Sequence, residues 1–173
     1  TSIHIPSAVI GTIPKKAEKY FYNGTIVTNI NLNDKHSLKE TYHIEITTDE
    51  KIAYQSGDAL AMIPKNNHAD VDKIIKLTAS NPNIEIASSK FNGSLRDGLI
   101  NHFNISYLLT STIKKYAEIV GQDIPNTRMD LMDLLRIYPV KDASQFIQIV
   151  KLLTPIAPRL YTISSSPIVH ETE

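Results

Sequence analysis

The sequence predicts an α+β fold: a β-domain interrupted by a long helical block. Three observations carry this. Apolar and β-branched residues run at strand periodicity in three stretches before residue 66. From residue 70 to 153 the apolar positions change to helical spacing, and β-forming residues return at 159–164. Strands, then helices, then a strand is not the strict alternation of a parallel α/β sheet.

Each element has its own local reason. Tyr22–Asn31 carries Ile26, Val27 and Ile30 among threonines, a β-rich mixture that Asn23-Gly24 can turn into the strand. Glu40–Thr48 alternates, with Tyr42, Ile44 and Ile46 on one face and His43, Glu45 and Thr47 on the other, as in a half-solvated antiparallel strand. After the turn Ser56-Gly57-Asp58, Ala59–Ile63 is apolar throughout and reads as a buried strand that Pro64 ends. Asn92-Gly93 reads as a turn. With Arg159–Ser164, whose Leu160 and Ile163 are apolar, this gives four strands whose sheet has open edges.

The helices have start and stop signals. Asp70–Ala79 places Val71, Ile74 and Ile75 on one stripe, and Asn81-Pro82-Asn83 stops it. Ser94 is an N-cap with Asp97 three residues on, close to a capping box, opening a helix through Leu99, Ile100 and Phe103. Ser106 is placed to cap the next helix, whose stripe is Leu108, Leu109, Ile113, Tyr116, Ala117 and Val120 and whose C-terminal glycine is Gly121. Met129–Ile137 repeats the pattern, and Asp142–Leu153 starts on the pair Asp142 and Gln145.

Composition narrows the chemistry. The 173 residues include 18 Lys+Arg and 18 Asp+Glu, so the formal net charge is zero and no basic surface for a polyanion is indicated. There is no cysteine, which excludes disulfides, thiolate metal sites and cysteine nucleophiles. The six histidines form no i, i+4 pair, so no metal site is expected, and His102 reads as a satisfied helix residue. Met129 and Met132 read as core filler. No apolar run approaches the roughly 20 residues of a membrane span. The expected partners therefore include neither nucleic acid nor membrane, and the expected compartment is the cytoplasm. Thr1 at the start and the unclosed Pro167–Glu173 end read as cuts in a larger protein.

One tract resembles a known motif. Pro158-Arg159-Leu160-Tyr161-Thr162-Ile163-Ser164-Ser165-Ser166 is similar to the flavin motif of the diflavin reductases, Pro-Arg-x-Tyr-Ser-Ile-x-Ser-Ser. Tyr54-Gln55-Ser56-Gly57-Asp58-Ala59-Leu60-Ala61-Met62-Ile63-Pro64-Lys65-Asn66 resembles that family's Tyr-x-x-Gly-Asp-x-Leu-x-(apolar)-x-Pro-x-Asn, and Glu40–Ile46 its preceding strand. Asn101–Ser106 resembles the entry to its helical connecting region. The likeness runs from about Tyr20 onward in register, and Leu152–Tyr161 looks closest to the flavoprotein (alpha) subunits of NADPH–sulfite reductase.

The resemblance implies a partial antiparallel β-barrel of the ferredoxin-reductase FAD-binding type with an inserted α-helical connecting subdomain. Its divisions would be a linker at 1–19, barrel strands at 20–66, the connecting subdomain at 67–157, and a returning barrel strand with the flavin motif at 158–173. In such reductases NADPH reduces FAD, FAD reduces FMN in a flavodoxin-like domain, and FMN reduces an acceptor, for sulfite reductase a haem/iron–sulfur subunit. Arg159 then grips the FAD pyrophosphate, for which a permanently charged planar guanidinium is suited. Leu160 belongs to the same strand, Tyr161 stacks on the isoalloxazine, Thr162 puts a hydroxyl near its N5, and Ser106 touches FAD from the connecting region. No residue is assigned a catalytic role, because the cofactor does the hydride chemistry.

The Gly-rich helix start that cradles the rest of the pyrophosphate, the NADPH domain and the aromatic that covers the flavin are missing from the sequence. The chain is accordingly expected to hold half a flavin site, to bind FAD weakly or not at all, and to be inactive alone. Two alternatives stand beside this. The parent reductase serves a haem monooxygenase, or the chain is a non-catalytic interaction module that has lost its flavin. On the latter reading Arg159 is a surface cation and Tyr161 a packed aromatic.

Overall fold

The computed structural model describes residues 22–166 and residue 168. The expected linker at 1–19 and most of the segment after Ser166 lie outside the described residues. Contacts divide the chain into two compact units. One holds the described residues up to Asp58 and from Ile163 on; the other is Ala59–Thr162. The cuts at 58/59 and 162/163 place the strands on either side of the helical block with that block, whereas the expected boundaries at 66/67 and 157/158 place them with the first strands.

In the first unit, strand β1 (Gly24–Asn31) pairs antiparallel with β2 (Tyr42–Thr48), from Gly24 opposite Thr48 to Asn31 opposite Tyr42. The register slips between Ile26 and Thr28, so Val27 is the extra residue of a bulge. The N–H and the side-chain amide of Asn23 both donate to the Asp49 carboxylate (3.2 and 2.9 Å), closing the open end of this ribbon. Ile26, Ile30, Tyr42 and Ile44 are exposed, and no residue from 22 to 58 is buried. The expected one-sided burial of β2 is absent because no second layer packs on it among the described residues.

The other unit holds the core. Strand β3 (Ala59–Met62) leads to α1 (His68–Leu77), the hairpin β4 (Glu85–Ala87) and β5 (Asn92–Ser94), then α2 (Leu95–Asn101), α3 (Thr110–Val120), α4 (Leu131–Ile137), α5 (Ala143–Leu152) and β6 (Arg159–Thr162). Val71, Ile74, Leu95, Leu99, Phe103, Ile113, Tyr116, Leu131, Leu134, Phe146 and Ile149 form one buried cluster. Full burial of one such side chain contributes about 1.5–3 kcal/mol. Two caps follow the sequence signals, Ser94 accepting from Asp97 N–H and Asp142 from Gln145 N–H, whereas α1 starts before the expected Asp70 on Asn67, which accepts from Ala69 N–H. Gln145 reaches back one residue further than a capping box requires, accepting from Lys141 N–H (2.7 Å).

Four sequence expectations are corrected. The described strands form three separate two-stranded antiparallel sheets, β1–β2, β3–β6 and β4–β5, with no closed barrel and no four-stranded sheet among them. Asn92-Gly93 is not a turn but β5; the chain reverses at Ser88–Phe91, where Ser88 N–H donates to Phe91 O (2.9 Å). Ser106 does not cap α3, which starts at Thr110 behind Leu109 with no side-chain cap, because Ser106 lies three residues before the cap position. The apolar β3 is not buried: Ala59 and Ala61 are exposed, Leu60 and Met62 half-buried.

Candidate functional site

Strand β6 carries the four residues of the flavin-like motif. Among the described residues it forms a ladder with β3: Arg159 faces Met62, Leu160 faces Ala61, Tyr161 faces Leu60 and Thr162 faces Ala59. Cross-strand partners share a face, and alternate residues of a strand do too. Arg159 and Tyr161 therefore lie on one face with Met62 and Leu60, about 7 Å apart along the strand. Leu160 and Thr162 lie on the other. All four β6 residues are exposed, Tyr161 by 45% and Leu160 by 74%. Arg159 has no ion pair or side-chain hydrogen bond among the described residues; the ion pairs there are Lys73–Asp70, Arg96–Asp72 and His43–Glu45. A guanidinium and a phenol ring free on one face can meet an anion and a flat aromatic group at once.

The turn 54–58 of the first unit is structural. Gly57 has φ +98°, which favours glycine, and Asp58 closes the turn by accepting from Gln55 N–H (2.8 Å). Tyr54 Oη lies 2.8 Å from Ser165 Oγ, and Ser56 Oγ donates to Ser165 O (2.9 Å). Part of the Ser164–Ser166 run thus anchors this turn.

Ser106 sits in the loop between α2 and α3, exposed, with its N–H donating to Asn104 Oδ1 (3.1 Å). It borders a cleft of about 270 Å³ with Asp70 and Lys73 of α1 and Asp133 and Arg136 of α4. The loop is held by Tyr107 N–H on Asp130 Oδ1 (2.7 Å) and Leu131 N–H on Ile105 O (2.8 Å). A short antiparallel bridge joins this loop's approach to the run-in of β6. Phe103 pairs with Pro155, Asn104 N–H donates to Thr154 O (2.8 Å), and Ile156 N–H donates to His102 O (2.7 Å).

Two features near this bridge escaped the sequence reading. Asn66, quoted only as the last residue of a motif, makes three hydrogen bonds to the C-terminal end of α2 and the residues after it. His102 is not a satisfied helix residue: its ring stacks on Phe91 (5.0 Å, 29°) and meets Phe103 edge-on (5.0 Å), while Nε2 is buried without a partner. Aromatic neighbours supply no acceptor, and sequence spacing did not reveal that Phe91 folds over from the hairpin. Elsewhere, burial pushes the Tyr116 hydroxyl pKa up, and that hydroxyl donates to Tyr138 O (2.6 Å). No cluster of His, Cys, Asp or Glu among the described residues could hold a metal ion, and no helix there is long and apolar enough to cross a membrane.

The sequence profile of the FAD binding domain matches residues 14–129. The chain belongs to this family of flavin-binding domains. It is 33% identical over 157 residues to the sulfite reductase [NADPH] flavoprotein alpha-component of Buchnera aphidicola subsp. Acyrthosiphon pisum, covering 83% of this chain and 26% of that protein. It is 29% identical to the corresponding protein of Bacillus subtilis, covering 84% of this chain and 27% of that one, and 27% identical to that of Cronobacter sakazakii. The chain thus spans about a quarter of the length of these relatives. The profile match ends before β6, which carries Arg159, Leu160, Tyr161 and Thr162.

Proposed function

We propose that this chain is the FAD-binding and connecting part of an NADPH-dependent diflavin reductase that feeds electrons to sulfite reduction. Arg159 neutralises the FAD pyrophosphate and Tyr161 stacks on the isoalloxazine from the same face of β6, while Leu160 and Thr162, on the other face, contribute through the strand backbone and, at the strand end, the Thr162 hydroxyl. Ser106 contributes from the loop that the Phe103–Pro155 bridge ties to β6. The helical block 67–157 acts as the connecting subdomain. It sets the distance to an FMN flavodoxin-like domain, while an NADPH domain supplies hydride and a haem/iron–sulfur subunit accepts the electrons. FAD supplies the hydride and single-electron chemistry; the chain's residues bind and orient it. The observation that carries this reading is an unpartnered guanidinium and a half-exposed phenol side by side on one strand face.

Half a site predicts weak binding. FAD fluorescence should be quenched only at high concentrations of the 173-residue chain, with no NADPH oxidation. Arg159→Ala should weaken the quench about tenfold or more, since a hydrogen bond to a charged group contributes roughly 1.5–3 kcal/mol. Tyr161→Ala should weaken it further and blunt the flavin's spectral shift. A purified chain yellow with stoichiometric flavin would overturn the half-site reading. Quenching indifferent to both substitutions would overturn the assignment of β6.

A further inference from the structure

Both chains of the β3–β6 ribbon leave it at the same end, where Met62 faces Arg159, and both are tied to one short stretch, residues 99–104. On the β3 side, Asn66 N–H donates to Ile100 O (2.9 Å), and the Asn66 side-chain amide donates to Leu99 O and Phe103 O, each at 2.7 Å. On the β6 side, Pro155 bridges Phe103 and Ile156 N–H donates to His102 O, three residues before Arg159. Phe103 thus accepts from one strand's extension while it pairs with the other's. The stretch itself is fixed, because Leu99 and Phe103 are fully buried in the helical core.

We propose that Asn66 is the positioning residue of this ribbon: its amide clamps the carbonyls of Leu99 and Phe103 and so fixes where Arg159 and Tyr161 stand. The inference rests on the reading of β6 as the flavin strand. The chemistry is specific to an amide. Two converging carbonyl oxygens need two N–H donors on one atom, which the carboxamide of asparagine provides. A carboxylate of the same shape has only acceptors and faces both oxygens with negative charge. A two-stranded ribbon has little stability of its own, so its position depends on such anchors.

The test is Asn66→Asp in the 173-residue chain, read by amide hydrogen exchange at several pH values. The β3 and β6 ladder amides should exchange about tenfold faster or more in the variant, the scale of one or two lost hydrogen bonds, while amides of α4 and α5 keep their protection. The variant-to-parent ratio should shrink as pH falls and the new carboxyl gains a proton it can donate. Asn66→Ala should loosen the ladder at all pH values without that pH dependence. Equal acceleration across ribbon and helices would make Asn66 a general stability residue and overturn the proposal, as would an unchanged ladder. The flavin titration of Arg159→Ala fails or succeeds separately. A loosened ladder with indifferent FAD binding in that variant would sink the flavin assignment and leave the clamp standing.

Discussion

Gly98 should not tolerate a methyl group, although it lies inside α2, where alanine is normally welcome. A Cβ at position 98 would stand 2.8 Å from Phe103 Cε2 and 2.8 Å from Phe91 Cε1, with Phe103 Cδ2 at 3.1 Å. Replacing an interior helical glycine by alanine gains about 1 kcal/mol from propensity. Against this stands overpacking, roughly 1–3 kcal/mol where neighbours cannot yield. Phe103 cannot: it is fully buried and bridged to Pro155. Phe91 is half-buried and can swing, but it then loses its stack on His102 at 5.0 Å and its edge contact with Phe103 at 5.2 Å. Each such ring contact contributes about 0.5–1.5 kcal/mol. The steric cost exceeds the propensity gain, and Gly98→Ala should be net destabilising by about 1 kcal/mol. Chemical denaturation followed by far-UV circular dichroism would show a lower midpoint at unchanged slope. Adding Phe91→Leu should recover only part of the loss, because the 2.8 Å approach to Phe103 remains. A midpoint that rises in the single variant would mean the rings yield freely, and the account of a rigid aromatic cluster against α2 would be wrong.

Two further outcomes are expected. Gly121 ends α3 with φ +69° and open space around its missing Cβ, so Gly121→Ala should cost about 1 kcal/mol for backbone conformation alone and Gly121→Asn less; equal stability of all three would refute this. The Asn23 side-chain amide beside Asp49 holds that carboxyl below its ordinary value, with the Asn23 N–H adding to the effect. A depressed pKa gives a contribution to stability that is present above the unfolded value of about 3.9 and lost as pH falls through the folded one. Carboxyl-carbon NMR should place the Asp49 inflection below that value, and Asn23→Ala should raise it; an unmoved inflection would show that the amide is not the cause.

What could be read from the sequence was what neighbours in sequence decide. Ser94 and Asp142 cap helices because an oxygen can reach an N–H three residues on whatever the rest of the chain does. Gly121 ends α3 for a similarly local reason. The alternation that makes Arg159 and Tyr161 share a face is a property of any strand. The errors came where a distant partner decides. Asn92-Gly93 has the composition of a turn, yet Gly93 pairs with Ile86, and the three-residue β4 is too short to announce itself by period. Ser106 looked like a cap because its hydroxyl precedes an apolar stripe, but Leu108 N–H donates to Met129 O and Asp130 accepts from Tyr107 N–H, holding that stretch off the helix. Asn66 gave no sign of its role, since the carbonyls it clamps lie more than thirty residues away.

The same distinction bears on how the β6 face comes to exist. Strands β3 and β6 are not joined by a hairpin turn; five helices and the β4–β5 hairpin lie between them in the chain. Closing so long a loop costs only slightly more than closing one of half the length, about 0.6 kcal/mol per doubling. A ladder of four residue pairs with exposed β6 side chains nevertheless recovers little of the total, because it buries little apolar surface. The recovery comes from the helical core, whose burial of Leu99, Phe103, Phe146 and Ile149 accompanies the hydrogen bonds that hold the stretch 99–104 against 154–156. The geometry of Arg159 and Tyr161 is therefore set by the helices rather than by the strand that carries them. A substitution that loosens α2 without touching β6 should disturb the proposed flavin site through its anchors.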